Sequence, residues 1–195
     1  MTRSFVILAA AAALLAGAGQ AQAQKYFDFL NGGTSFYGGD RRLIPGGVNP
    51  IPRTGVYYPS NYAPGTIVIN TAERRLYLVQ PGGTALRYGI GVGRDGFRWS
   101  GVHHVSAKRE WPDWTPPAEM RRRRPDLPSY MEGGIENPLG ARALYLGSTL
   151  YRIHGSNEPE TIGQAVSSGC FRMTNEDVVD LYDRVSVGTT VVVKN

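Results

Sequence analysis

Ile153-His154-Gly155, followed across a loop by Ser167-Ser168-Gly169-Cys170-Phe171-Arg172-Met173, is the stretch around which the rest of the chain is read. Cys170 is the only cysteine, and the Ser-Ser-Gly run before it has side chains small enough to let another molecule approach the backbone. A thiol attacks as its thiolate, so a reactive cysteine needs a base or a cationic neighbour. His154, sixteen positions upstream, supplies one. Gly169 and Cys170 offer consecutive backbone N–H groups to a developing oxyanion, and Arg172 offers a planar fork for a carboxylate. The competing reading of a lone cysteine is a small buried hydrophobe. An exported chain with one thiol cannot close an internal disulfide, which together with these neighbours favours the reactive reading.

The stretch resembles the signature of the L,D-transpeptidase (YkuD) catalytic domain, in which a His-Gly pair is followed after a loop by Ser-x-Gly-Cys-x-Arg. The resemblance continues through Asn137-Pro138-Leu139-Gly140, the runs 143–146 and 150–154, Ile162-Gly163 and Met173-Thr174-Asn175-Glu176-Asp177, so it spans roughly 64–194. Ser168 stands where the family often has His. The resemblance implies a mainly β fold, a YkuD-like β-sandwich with one or two short helices. It also implies a cysteine acyltransferase on peptidoglycan tetrapeptide stems, needing no cofactor. Cys170 would be the nucleophile, His154 the proton acceptor and donor, and the Gly155 carbonyl its orienter. Arg172, Ser167, Ser168 and Gly169 would contact substrate. The acyl acceptor would be the amine of a second stem, giving a 3–3 cross-link, a lysine of an envelope protein, or water.

Residues 1–23 carry Arg3, an apolar run at 5–18 and the small-x-small site Ala21-Gln22-Ala23, so a cleaved secretory signal is expected, placing the protein in the periplasm or cell envelope. The run is short for a membrane span of about 20 residues. Losing Arg3 takes the formal charge from +5 to +4, a mild basicity that suits solubility as well as an acidic polymer. Residues 24–63, rich in Gly, Tyr, Asn and Pro without periodicity, read as a flexible spacer, and 64–194 as the catalytic domain.

Short period-two runs at 66–70, 75–80, 86–92 and 102–108 predict strands, with 71–74 turning between the first two. Gly89-x-Gly91-x-Gly93 has the wrong spacing for a nucleotide loop and reads as a close-packed strand end. His103 and His104 are adjacent on a strand and point to opposite faces, so no metal site is expected. Prolines at 112, 116, 117, 125 and 128 exclude a regular element from 109–134, leaving a surface loop with Arg121 to Arg124 as a solvated charge run; the family resemblance implies a flap over the cleft here, which Trp111 and Trp114 are expected to supply. Thr174 caps a helix to residue 185 with Val178, Leu181, Tyr182 and Val185 on one face, and 189–193 form a central strand. Two other classes are weighed. A papain-like peptidase places its cysteine before its histidine, the reverse of this order. A non-catalytic wall-binding module has no use for an intact His154/Cys170/Arg172 set. No nucleic-acid partner is indicated.

Overall fold

The structure, a computed structural model, describes residues 49–195 of the 195-residue chain. The expected signal at 1–23 and positions 24–48 of the expected spacer lie outside the described residues.

The apolar alternation forms strands close to where the pattern put them: β1 (Thr54–Tyr57), β2 (Ile67–Asn70), β3 (Arg75–Gln80), β4 (Thr84–Gly89), β5 (Val92–Gly93), β6 (Gly101–Glu110), β7 (Arg142–Leu146), β8 (Arg152–His154), β9 (Ala165–Ser167), β10 (Phe171–Arg172) and β11 (Thr190–Lys194). Nine of them make one sheet in the order β1-β4-β3-β2-β11-β6-β7-β8-β10, and β5 pairs with β9. The far end of the sheet returns to the first half. Gly91, just beyond β4, exchanges two backbone hydrogen bonds of 2.9 Å with Arg172 of β10, which curls the sheet on itself. β11 is central as expected, parallel to β2 and antiparallel to β6, with Val191 and Val193 buried. The inner face packs Ile67, Ile69, Leu76, Leu78 and Tyr88 in one half, and Leu144, Ile153 and Phe171 in the other.

The described part of the expected spacer, 49–63, contributes β1, which pairs antiparallel with β4, and it covers the outer face of the hairpin. Val68, Tyr77, Val79 and Ala85 are buried on that face, with Val56 and Tyr58 packed against them and the Tyr58 and Tyr77 rings stacked 4.6 Å apart. These few apolar residues show no period of their own, because a partner surface supplied by β2 to β4 is what buries them.

Among the described residues, two short α-helices complete the fold. α1 (Ala118–Arg123) lies in the stretch where prolines were expected to exclude regular structure. Pro116 and Pro117 instead precede its first turn, where a missing N–H costs nothing, and Glu119 and Arg121 to Arg123 suit the two ends of its dipole. α2 (Asn175–Arg184) is capped by Thr174 Oγ1, which accepts the Asp177 N–H at 3.2 Å, and it rests against β7 and β8. The start of the domain is tied to this helix. Asn49 Nδ2 donates to Asp177 at 2.8 Å, and Arg53 Nη1 lies 3.2 Å from Asp177 and 3.5 Å from Asp180.

Burial lifts the Asp177 carboxyl to about 6, against the opposing pull of Arg53 and Asn49. Arg53→Ala leaves this buried carboxylate without its cation, a change costing about 3 kcal/mol. At neutral or higher pH this lowers Tm by about 6–12 °C for a domain of this size. The folded value lies above the ordinary carboxyl value of 3.8, so proton uptake favours the fold and the deficit shrinks as pH falls through about 6. Melting at pH 8 and pH 5 checks this, and equal deficits at both would contradict it.

Candidate active site

The site is built on the parallel pair β8–β10. Its register sets Phe171 beside Ile153 and Arg172 beside His154. Ile153 and Phe171 face the core, so by strand alternation His154 and Arg172 share the other face. Carried back one residue, the same register brings Cys170, at the mouth of β10, opposite Arg152. Four chemically active side chains thus meet on one small patch although a loop separates their two segments.

His154 is buried, and its Nδ1 lies 2.6 Å from the Gly155 carbonyl. A carbonyl only accepts, so Nδ1 carries the hydrogen and Nε2 keeps its lone pair. Loss of solvent first, and the Arg172 charge second, push the imidazole down to about 3, while the Gly155 and Leu139 carbonyls pull the other way. Burial raises the half-buried Cys170 thiol, opposed by the backbone N–H and guanidinium of Arg152 and by Arg172. At neutral pH the resting pair is therefore a neutral thiol and a neutral imidazole, not a preformed thiolate and imidazolium.

The backbone around His154 is held by the expected Asn137-Pro138-Leu139-Gly140 segment and by α2. Asn137 Oδ1 accepts the Leu139 N–H at 2.9 Å, and Asn175 Oδ1 accepts the Ala141 N–H at 2.8 Å. Asn175 lies so close to Gly155 that any side chain there would collide with it.

The Cys170 loop is braced from both sides. Ser167 Oγ accepts the Gly169 N–H at 3.2 Å and donates to the Cys170 carbonyl at 2.6 Å, so the Gly169 amide expected for an oxyanion is engaged within the loop. Trp99 Nε1 donates to the Gly169 carbonyl at 2.9 Å, while its ring stacks on Tyr151 at 4.6 Å. Gly169 sits at φ 107°, and a Cβ there would run into the Tyr151 ring. Trp99 escaped the sequence reading because Phe97-Arg98-Trp99 belongs to no periodic element. His103 lies edge-on to Trp99 at 5.1 Å, and His104 faces Thr190 on the exposed sheet.

Beside the cysteine runs a cleft of about 590 Å³, whose lining includes Arg94, Trp114, Arg123, Glu158, Ser168 and Arg172. Trp114 is on this cleft as expected, whereas Trp111 lines a separate hollow beside Arg109 and Tyr145. Arg123 and Arg124 reach the cleft wall rather than forming only a solvated run. Glu158 pairs with Arg172 at 2.8 Å. That pair is open to solvent on the Glu158 side and is worth no more than about 1 kcal/mol, so a ligand carboxylate can replace Glu158.

The profile of the YkuD L,D-transpeptidase catalytic domain matches residues 64–193. The chain belongs to this family. It is 42% identical over 134 residues to "Probable L,D-transpeptidase ErfK/SrfK" of Escherichia coli (strain K12), covering 64% of this chain and 42% of that protein. It is 31% identical over 158 residues to YqjB of Bacillus subtilis (strain 168), covering 77% of each. Among solved structures, an L,D-transpeptidase from Mycobacterium smegmatis superposes with TM-score 0.54 at 17% identity, covering 67% of this chain and 58% of that one, a likeness of fold alone. The chain spans less than half the length of the E. coli L,D-transpeptidase relatives it matches.

The bracing of the loop has a measurable consequence. Gly96, at φ 83° with open space around its Cα, and Gly169 both become strained as alanine, but only Gly169 also meets a ring. Strain alone costs about 1–2 kcal/mol. Gly96→Ala should lower Tm by about 2–8 °C at 2–4 °C per kcal/mol, and Gly169→Ala by at least twice the Gly96→Ala drop. Equal drops would mean that Tyr151 and Trp99 do not lock the loop.

Proposed function

We propose that the protein is an exported, cysteine-dependent L,D-transpeptidase acting on peptidoglycan tetrapeptide stems. The observation that carries this reading is the β8–β10 register, which gathers Cys170, His154 and Arg172 on one face beside an arginine-lined cleft.

Arg172, released from Glu158, takes a stem carboxylate in a two-pronged hydrogen bond. The added negative charge offsets part of what depresses His154, so substrate binding moves the base toward greater strength. Cys170 Sγ attacks the carbonyl on the L-centre of the third stem residue as its proton passes to His154 Nε2. The Cys170 N–H faces the oxyanion, and the Gly169 N–H joins it when its bond to Ser167 Oγ opens. The C–N bond to the terminal D-alanine breaks, His154 returns the proton to the departing amine, and a thioester remains. An incoming amine, deprotonated by His154, then attacks the thioester and expels the thiolate. That amine belongs to a second stem or to an envelope-protein lysine, and water in its place gives carboxypeptidase activity. Gly155 keeps the imidazole oriented, and Ser167 and Ser168 shape the rim. Residues 1–23 direct export and are removed.

Conversion of purified tetrapeptide muropeptides tests this. Cys170→Ala should abolish conversion, and His154→Ala should slow it by about 10²–10⁴. Arg172→Lys should raise KM by about tenfold or more, from a charge-assisted hydrogen bond of about 1.5–3 kcal/mol, with less change in kcat. Since the imidazole is held near 3, the rate should show no acid limb around pH 6.5. Full conversion by Cys170→Ala, or loss in a folded His103→Ala but not in His154→Ala, would overturn the assignment.

A further inference from the structure

Arg152 has no role in the reaction set out above, yet the β8–β10 register, extended back one residue from the Phe171–Ile153 pair, places it opposite Cys170. Its side chain is held in place. Nη1 donates to the Leu150 carbonyl at 3.1 Å, and the guanidinium lies 5.0 Å from the centre of the Tyr145 ring, the residue paired with it across β7 and β8. The Cys170 thiol faces the same Leu150 carbonyl at 3.9 Å, so thiol and guanidinium converge on one oxygen. Arg152 Nε is buried with no hydrogen-bond partner. A buried donor left unsatisfied is costly, and it is tolerated where an acceptor appears in another state of the site.

The chemistry calls for such an acceptor. His154 is buried and neutral at rest, so no imidazolium stands ready to support a thiolate. Besides Arg152, the charged or titratable groups around the sulfur are Arg172 of β10, already paired with Glu158 from the preceding loop, and His154 on β8; the Tyr145 ring of β7 faces the guanidinium.

We propose that Arg152 is the positioning charge for the Cys170 thiolate, a fixed cation that supports the anion when the Sγ proton passes to His154 Nε2 and again when the C–S bond of the thioester breaks and sulfur leaves with the bonding pair. The guanidinium neither gives nor takes a proton, so the proton balance stays with His154. This assignment rests on the reading of Cys170 as nucleophile, but its consequence is a property of the thiol alone.

The test uses that independence. With one cysteine in the chain, alkylation by iodoacetamide across pH 5–11 reads the ionisation of Cys170 with no cell-wall substrate. Arg152→Gln should move the midpoint up by about one pH unit, which slows alkylation near pH 7.5 by about tenfold. Arg152→Lys, which keeps the charge but not the fork, should move it less than half as far, and Arg172→Gln should also move it less than Arg152→Gln does. Circular dichroism and Tm identify folded variants, and if Arg152→Gln does not fold, Arg152→Met takes its place, where an unchanged midpoint overturns the proposal. An unchanged profile in folded Arg152→Gln, or equal shifts in the Gln and Lys variants, also overturns it. Muropeptide conversion by the unsubstituted protein is scored separately, so failure of the transpeptidase reading and failure of the Arg152 assignment give different results.

Discussion

The parallel backbone ladder between β8 and β10 is the constraint on which the site depends. It is only two residues long, and a ladder that short does not sustain itself in water. Its persistence comes from its surroundings: β7 flanks β8 on one side, Gly91 pairs with Arg172 on the other, and Ile153 and Phe171 anchor the pair in the core. Because alternate residues of a strand face the same way, this one register sorts the apolar residues inward and the four reactive ones outward. A slip by one residue would bury Arg172 and turn Phe171 toward the cleft.

Electrostatics on that face are set by the balance between burial and arginine. Loss of water keeps both His154 and Cys170 neutral at rest, and Arg152 and Arg172 act against this for the thiol while depressing the imidazole further. The His154–Cys170 pair thus carries no charge at rest, and in the proposed reaction it gains charge only when the Sγ proton moves. The carbonyls of Gly155 and Leu139 favour the protonated imidazole that the proposed reaction would form, an arrangement fixed by the Asn137 and Asn175 side chains and by the close approach that glycine allows at position 155.

The mainly β architecture, the central place of 189–193, the helix capped by Thr174 and the convergence of His154, Cys170 and Arg172 were legible in the sequence. Period-two alternation needs only local residues, and cysteine and histidine are scarce enough for their spacing to carry information. What was not legible depends on partners distant in sequence. Val56 and Tyr58 look like spacer residues until the outer face of β2 to β4 is there to cover. Arg53 looks solvated until Asp177 and Asp180 arrive on α2. Arg152 reads as the outward residue of a strand, and only the register of β10 reveals that outward here means toward the thiol. α1 was missed because proline density was read as excluding helix, when prolines before a first turn favour one.

The central claim is that Cys170 carries the acyl group, and trapping that intermediate tests it most directly. Acid quenching of the protein early in its reaction with a tetrapeptide donor, followed by intact-mass measurement and peptide mapping, should show a gain equal to the donor less its terminal D-alanine. The gain should sit on the peptide containing Cys170 and be absent from Cys170→Ala. Product formation with no adduct on Cys170 at any quench time, or an adduct on another residue that persists in Cys170→Ala, would contradict the account.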